Sequence, residues 1–173
     1  YVTGEDAHNM LIWADAVKSG DADNLEGRAA AFYWKSVFVD NPKFTRSDDD
    51  VVNAMLNYGY AIVRAIVARA LVGAGLIPTL GVHHHNRYDA YCLADDIMEP
   101  YRPYVDRLVI DIVNAGAPEV LDVNVKRALL ELPVKEVIID GIRRPLMLAV
   151  SQTVNSLQKC FSGSSRKVIY PSM

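Results

Sequence analysis

The sequence has little cysteine, and this scarcity excludes several classes of protein. Its 173 residues include only Cys92 and Cys160, too few for the disulfide framework of a small secreted domain. A signal peptide has a basic segment followed by a short apolar run, and the start of this sequence has neither. We therefore expect a reducing, cytoplasmic compartment. The chain begins at Tyr1, and we expect it to be a fragment of a longer protein.

No large excess of either charge is present, so charge alone does not identify a partner. The formal net charge is -3. Residues 1–50 hold ten acids and five bases, whereas residues 124–173 hold eight bases and three acids. This asymmetry permits a basic binding face in the C-terminal third but does not require one.

Apolar residues recur at helical spacing over most of the chain, which predicts a mostly α fold. The helix predicted from Ser47 to about Val72 is apolar on nearly all sides, as a buried central helix is. A membrane span is disfavoured by four polar residues within this run, namely Asn53, Asn57, Arg64 and Arg69. Further helices are predicted over residues 5–18, 24–38, 88–113, 124–132 and 145–161.

Two local signals predict where the regular helical pattern is interrupted. Pro100 lies inside the helix predicted over 88–113 and should break or kink it. Asp140-Gly141, between apolar residues, predicts a small β-hairpin near 135–144. We expect one α-helical domain over residues 1–173, with residues 163–173 as a basic tail.

The stretch from 81 to 103 carries the residues best suited to chemistry. Three consecutive histidines precede a helix with Asp95, Asp96 and Glu99. Asp96 and Glu99, three residues apart, share a helix face and would repel unless a cation lies between them. A divalent metal would provide this charge, with Mg²⁺ or Mn²⁺ suited to carboxylates and Mn²⁺ or Zn²⁺ to added imidazole. The alternative is an arginine, or simply a solvated helix face.

Two motifs together resemble a known family. They are LEGRAAAFYW at 25–34 and LGVHHHNRYDAYCLADDIMEPYRPYVD at 80–106, separated by the long apolar helix. The sequence is similar to the CRISPR-associated integrase, the catalytic subunit of the spacer-acquisition complex. The matching region is the C-terminal α-helical catalytic domain of that family. The DIMEP segment and the asparagine after the histidines resemble the branch found with single large effector nucleases.

The resemblance implies a metal-dependent site and a reaction. By position, the family's metal ligands correspond to Glu26, His84 and Glu99, with Asp96 as a supporting acid, and the implied cofactor is Mg²⁺ or Mn²⁺. The implied activity is transesterification, in which a 3′-hydroxyl of prespacer DNA attacks the CRISPR array. Basic residues near these positions are candidate DNA contacts: Arg28, Arg87 and Arg102. Arg102 is equally well suited to pairing with Asp96 or Glu99.

The family also implies partners that this chain alone does not supply. Its members carry an N-terminal β-rich domain that builds a homodimer, and nothing in residues 1–173 resembles it. Integration also involves DNA of the prespacer and repeat and a small companion subunit. Two alternatives remain, a metal-dependent DNA nuclease using water, and a non-catalytic assembly subunit.

Overall fold

A computed structural model describes residues 2–4, 7–18, 21–39, 44–116 and 118–172, and in this part of the chain the mostly α prediction is confirmed. The helices are α1 (His8–Ala16), α2 (Leu25–Val37), α3 (Val51–Gly73), α4 (Cys92–Met98), α5 (Arg102–Gly116), α6 (Val123–Leu129) and α7 (Leu146–Phe161). The strands are β1 (Glu136–Ile139), β2 (Ile142–Pro145) and β3 (Pro171–Ser172).

Helix α3 is the centre of the fold, as its all-round apolar pattern predicts. It packs against α4, α5, α6 and α7, and its most deeply buried side chains are Met55, Leu56, Val63, Val67 and Leu71. Its N-cap is Asp50, whose carboxylate accepts a 2.7 Å hydrogen bond from the Asn53 amide, so the helix begins at Val51 and not at the predicted Ser47. Length and a mean hydropathy of 1.3 would suffice for a membrane span. The side chains buried against four other helices identify it instead as a core helix.

The helix predicted over 88–113 is divided into two, and it begins later than predicted. Two turns built by side chains precede it: Asn86 accepts from the Tyr88 amide at 3.0 Å, and Asp89 accepts from the Tyr91 amide at 2.8 Å. Such local bonds compete with helical backbone pairing, and α4 therefore starts at Cys92. The predicted break at Pro100 is confirmed as a 3₁₀ turn over Glu99–Tyr101.

The predicted hairpin forms, but it is part of a larger sheet. Strands β1 and β2 pair antiparallel around Asp140 and Gly141, which have φ angles of 53° and 73°, as in a type I′ turn. Strand β3 also pairs antiparallel with β1, placing Ile138 opposite Ser172. The segment predicted as a basic tail thus supplies a third strand, and the predicted hairpin is part of a three-stranded sheet.

Helices α1 and α2 form an outer pair joined by aromatic contacts. The Trp13 and Phe32 rings meet edge to face at 5.7 Å, and the Arg28 guanidinium lies 5.2 Å from the Trp13 ring centre. Helix α1 has no buried residue of its own. From α2, Trp34 packs against Phe44 at 5.6 Å, which attaches this pair to the core.

Candidate metal-binding site

The histidine loop is anchored by a single carboxylate. One oxygen of Asp96, Oδ2, accepts from the amides of Val82 at 2.6 Å and His83 at 2.9 Å. The other, Oδ1, accepts from the His84 amide at 3.1 Å and contacts His84 Nδ1 at 2.6 Å. The Asp96 side chain is only 8% exposed. Asp96 therefore fixes the loop onto α4.

These contacts keep Asp96 ionised. Burial alone would raise the pKa of its carboxyl, but hydrogen bonds from the two histidine amides, the His84 ring and the Val82 amide together lower it below its ordinary value. An ionised carboxylate can only accept hydrogen bonds. His84 Nδ1 must therefore donate in this contact, which leaves Nε2 as the ring nitrogen available to another partner. A carboxylate on one ring nitrogen is the usual way to orient a metal-binding histidine through the other.

Glu99 begins the 3₁₀ turn that follows α4. Its Oε1 accepts from Arg102 Nη2 at 3.0 Å. Burial raises the pKa of Glu99, while the nearby charges of Arg102 and His84 lower it and those of Asp95 and Asp96 raise it further. The structure thus brings His84, Asp96 and Glu99 into one electrostatic neighbourhood.

Asp95 points away from Asp96 and forms a second charged cluster with α3. Arg64 Nη2 contacts Asp95 at 2.6 Å and Asp89 at 3.1 Å, and its guanidinium lies 4.7 Å from the Tyr91 ring centre. The hydrogen bond that Arg64 donates to Asp95 is the main cause that raises the pKa of Arg64. From the sequence alone, Arg64 is only a polar interruption of an apolar helix.

A cavity of about 330 Å³ connects the two clusters. Its lining includes Arg64, Arg102, His84 and Asp95, with Asn57 and Tyr60 from α3. Asn57, Tyr60 and Arg64 are spaced by three and four residues, and such spacing places side chains on one helix face. That polar stripe in an otherwise apolar helix was the signal that could have identified this wall from the sequence.

The three arginines proposed as DNA contacts have different surroundings. Arg102 lines the cavity, pairs with Glu99 and lies over the Tyr60 ring at 5.1 Å. Arg87 stacks on Tyr88 at 4.6 Å, and Arg28 of α2 lies over Trp13 of α1. Arg102 was predicted either to contact DNA or to pair with Asp96 or Glu99, and the structure contains the pair with Glu99.

Glu26 lies in the first turn of α2 and is exposed. Its amide donates to Asp21 Oδ2 at 2.9 Å, and the Leu25 amide donates to Asp21 Oδ1 at 2.7 Å, so Asp21 caps the start of this helix. Within the described ranges, no three His, Cys, Asp or Glu residues are placed to share one cation. The set Glu26, His84 and Glu99 therefore stays a prediction.

A buried carboxylate holds α2 against the rest of the protein. Asp106 on α5 is 3% exposed and accepts a 2.5 Å hydrogen bond from Tyr33 on α2. It also accepts from the hydroxyl of Tyr60 on α3. Tyr33 lies seven residues after Glu26, two turns along the same face of α2. The orientation of the face that carries Glu26 thus depends on Asp106, which sequence reasoning missed.

Comparisons with known proteins agree in pointing to one family. Residues 13–135 match the family described as CRISPR associated protein Cas1. A CRISPR-associated endonuclease Cas1 from Neisseria meningitidis serogroup C is 38% identical over 159 residues, which are 90% of this chain and 52% of that protein. A second, from Francisella tularensis subsp. novicida, is 38% identical over 100 residues, covering 53% of this chain and 31% of that protein.

A solved structure shares the fold. A casposase bound to its integration product superposes with a TM-score of 0.79 at 25% identity, covering 94% of this chain and 56% of that one. The chain thus spans about half the length, or less, of the proteins it resembles.

Proposed function

Because the chain belongs to the CRISPR-associated Cas1 family, we propose that it carries the active site of a DNA integrase. In this proposal, a 3′-hydroxyl of prespacer DNA attacks a phosphodiester of the CRISPR array. The observation that carries the proposal is the contact between Asp96 and His84, which orients an exposed imidazole whose charge interacts with that of Glu99. A casposase bound to an integration product has the same fold, which supports end joining as the reaction class.

We propose Glu26, His84 and Glu99 as the residues that would hold Mg²⁺ or Mn²⁺. Two carboxylates and an imidazole are a donor set that such cations accept. His84 fits this role through Nε2, the ring nitrogen that Asp96 does not hold, and Glu99 lies near enough to His84 for their charges to interact. When bound, the ion would polarise phosphoryl oxygens and stabilise charge on the attacking or leaving oxygen.

The residues around these candidate ligands have roles that do not depend on the ion. Arg64 and Arg102 are the cations of the cavity wall, each paired with carboxylates, and guanidinium groups are suited to contact a phosphodiester. Asp96 holds the imidazole and keeps a proton on Nδ1. Arg102 also stabilises ionised Glu99, whose pKa burial would otherwise raise further.

Assembly and location follow from the family resemblance. We propose that the full-length protein works as a homodimer with the small companion subunit, in the prokaryotic cytoplasm where the array and prespacer DNA meet. Co-elution of the two subunits on size-exclusion chromatography would test this assembly.

The test compares the full-length protein with Glu26→Ala, His84→Ala and Glu99→Ala in an assay that joins labelled prespacer to an array plasmid. Each variant should lose joining by about 100-fold or more, since loss of a ligand should exceed the 10–100-fold typical of its outer partners. Binding to prespacer DNA should stay within about twofold of wild type, since most DNA affinity comes from phosphate contacts elsewhere. Arg127→Ala, which removes one exposed cation from α6, is the control and should join normally.

The same assay separates the alternatives. If wild-type protein cleaves the plasmid but never joins the labelled end, the site is that of a nuclease that uses water. If all three variants join as wild type does, the residues are not ligands and an assembly role is favoured.

A further inference from the structure

A second polar groove lies between α7 and the C-terminal segment. It has a volume of about 720 Å³ and is lined by α7, by residues from Ser164 to Ile169 and by Asp140 and Arg144 of the hairpin. None of these residues lines the cavity that contains His84. We name it the α7 groove.

The groove is a built feature of the fold. The Ile169 amide donates to Ser156 Oγ at 2.8 Å, and the amides of Ser164 and Ser165 donate to the Lys159 carbonyl at 2.9 and 3.1 Å. Beyond Ile169 the chain continues into β3, which pairs with β1. The segment predicted to be a basic tail is therefore fixed as one wall of the groove.

One face of α7 presents hydrogen-bond donors to this groove. Gln152, Asn155 and Lys159 are spaced by three and four residues and share that face. In the described part of the chain these side chains form no hydrogen bond or ion pair, and the same holds for Lys167 on the opposite wall. Ser156 and Ser165, by contrast, are already bonded to backbone groups. The donors that remain are amides and ammonium groups.

Charge and length indicate what this set of donors binds. Three cations, Arg144, Lys159 and Lys167, face one acid, Asp140. From Gln152 to Lys159 the helix rises about 10 Å, which equals about three phosphate steps of one strand measured along the axis of duplex DNA. Lysine and amide donors are the groups that contact phosphates without reading sequence.

We propose that the α7 groove binds the phosphodiester backbone of DNA, at a contact separate from the reacting site. This inference rests on the proposed function, because it assumes that the protein acts on DNA. It adds a second contact that holds the duplex while His84 and its neighbours act on its end or target.

The first test measures binding alone, in EDTA, with the full-length protein and a labelled random-sequence duplex. Lys159→Ala/Lys167→Ala should bind about tenfold more weakly, and the slope of log K against log salt should fall by about two, one for each phosphate that the variant no longer neutralises. The matched control is Lys126→Ala/Arg127→Ala, which removes the same charge from exposed positions on α6. It should bind within about twofold of wild type.

A second test uses a variant that should bind DNA more tightly, because a misfolded variant would be expected to bind more weakly. Asp140→Asn removes the one acid of the groove, and Asn-Gly suits the type I′ turn at least as well as Asp-Gly. This variant should bind DNA about threefold more tightly, since it removes one repulsive charge near the phosphates. Equal losses in the two double variants, or no gain in Asp140→Asn, would overturn the proposal.

Two further readouts separate other outcomes. If poly-glutamate protects Lys159 and Lys167 from acetylation and duplex DNA does not, the groove binds acidic peptide and the DNA proposal fails. His84→Ala should lose joining but keep groove-dependent binding. Groove variants that bind normally alongside ligand variants that lose joining would reject this inference while leaving the proposed function intact.

Discussion

Two aspartates on consecutive helices, Asp96 on α4 and Asp106 on α5, do the same structural task under opposite conditions. Each carboxylate joins segments distant in sequence by accepting hydrogen bonds with both oxygens. Yet the pKa of Asp96 is lowered and that of Asp106 is raised. The difference lies in the donors and in the depth of burial.

The donors to Asp96 are backbone amides and an imidazole in a loop open to solvent. Together they outweigh the cost of partial burial, because several bonds to the charged form stabilise that form. The donors to Asp106 are two tyrosine hydroxyls within the core. There burial is the largest influence, and it exceeds the stabilisation from those hydroxyls and from Arg102 and Arg46.

We expect Asp96 to control mainly the orientation of the site and Asp106 to control mainly the stability of the fold. Breaking the hydrogen bonds of Asp96 should free one loop and its imidazole, whereas breaking those of Asp106 should loosen three helices at once. Substitutions at Asp96, at Asp106 and at Gly81, which lies at the start of the histidine loop, test whether the two roles are distinct.

Asp106→Ala should be the most damaging change. It leaves the hydroxyls of Tyr33 and Tyr60 without their acceptor and opens a small cavity between α2, α3 and α5. We expect a loss of about 3 kcal/mol in the free energy of unfolding, since each buried donor left unpaired costs about 1–3 kcal/mol. Urea titration of the full-length protein would measure it. A midpoint within experimental error of wild type would show that Asp106 does not hold the three helices together.

Gly81→Ala should be the next largest, and it acts on the loop. A Cβ at Gly81 would meet the carbonyl oxygen of His84, with Cys92 Cβ at 2.9 Å and Asp96 Oδ2 at 3.1 Å. Relief requires the loop to move off α4, at a cost of about 1–3 kcal/mol for overpacking. Joining activity should fall further than stability, because His84 moves with the loop.

Gly73→Ala is the matched control, since nothing lies within 4 Å of a Cβ at that position. It should be neutral or slightly stabilising, because alanine favours a helix more than glycine does. If Gly81→Ala behaves as this control does, the close approach of the loop to α4 is not needed.

The sequence predicted correctly those structural elements that depend on residues close together in the chain. The apolar pattern of α3, the break at Pro100 and the turn at Asp140-Gly141 each depend on neighbouring residues, and each is present. The start of α4 was misplaced because Asn86 and Asp89 form competing turns, although both residue types are known to do so.

Contacts between distant residues could not be read in the same way. Asp106 is bonded to Tyr33, 73 positions away, and to Tyr60, 46 positions away, and no spacing rule connects them. Strand β3 has only two residues, too few for an alternating pattern. The resemblance supplied the candidate ligands, but only the structure shows Asp96 as the anchor of the loop rather than as one more acid beside Glu99.

Asp96→Asn should have a modest effect on stability and a larger one on activity. Asparagine keeps one acceptor oxygen but turns an NH₂ group toward amides that also donate, so part of the loop anchoring disappears. We expect about 1 kcal/mol less stability, in the range for removed hydrogen bonds. On the proposal that His84 is a ligand, joining should fall about 10–100-fold, which is typical for outer partners of ligating histidines. Asp111→Asn, which weakens only the exposed pair with Arg107, should change neither. An Asp96→Asn protein with wild-type joining would mean that His84 needs no anchor.

Asp106→Asn should have the smallest effect at neutral pH, and its signature is a pH dependence. The amide oxygen can still accept from one tyrosine while its NH₂ group faces the other hydroxyl oxygen, so we expect a change within about 1 kcal/mol.

In wild type the folded pKa of Asp106 is raised. Between the unfolded pKa near 3.9 and the folded pKa, the native state therefore binds more protons than the unfolded state. The wild-type free energy of unfolding should therefore fall, relative to that of Asp106→Asn, as pH rises through this window, and the difference should become constant above it. Urea titrations of both proteins at a series of pH values measure that difference directly. If it grows with rising pH instead, the hydrogen bonds from the tyrosines outweigh burial, and the contrast between the two aspartates disappears.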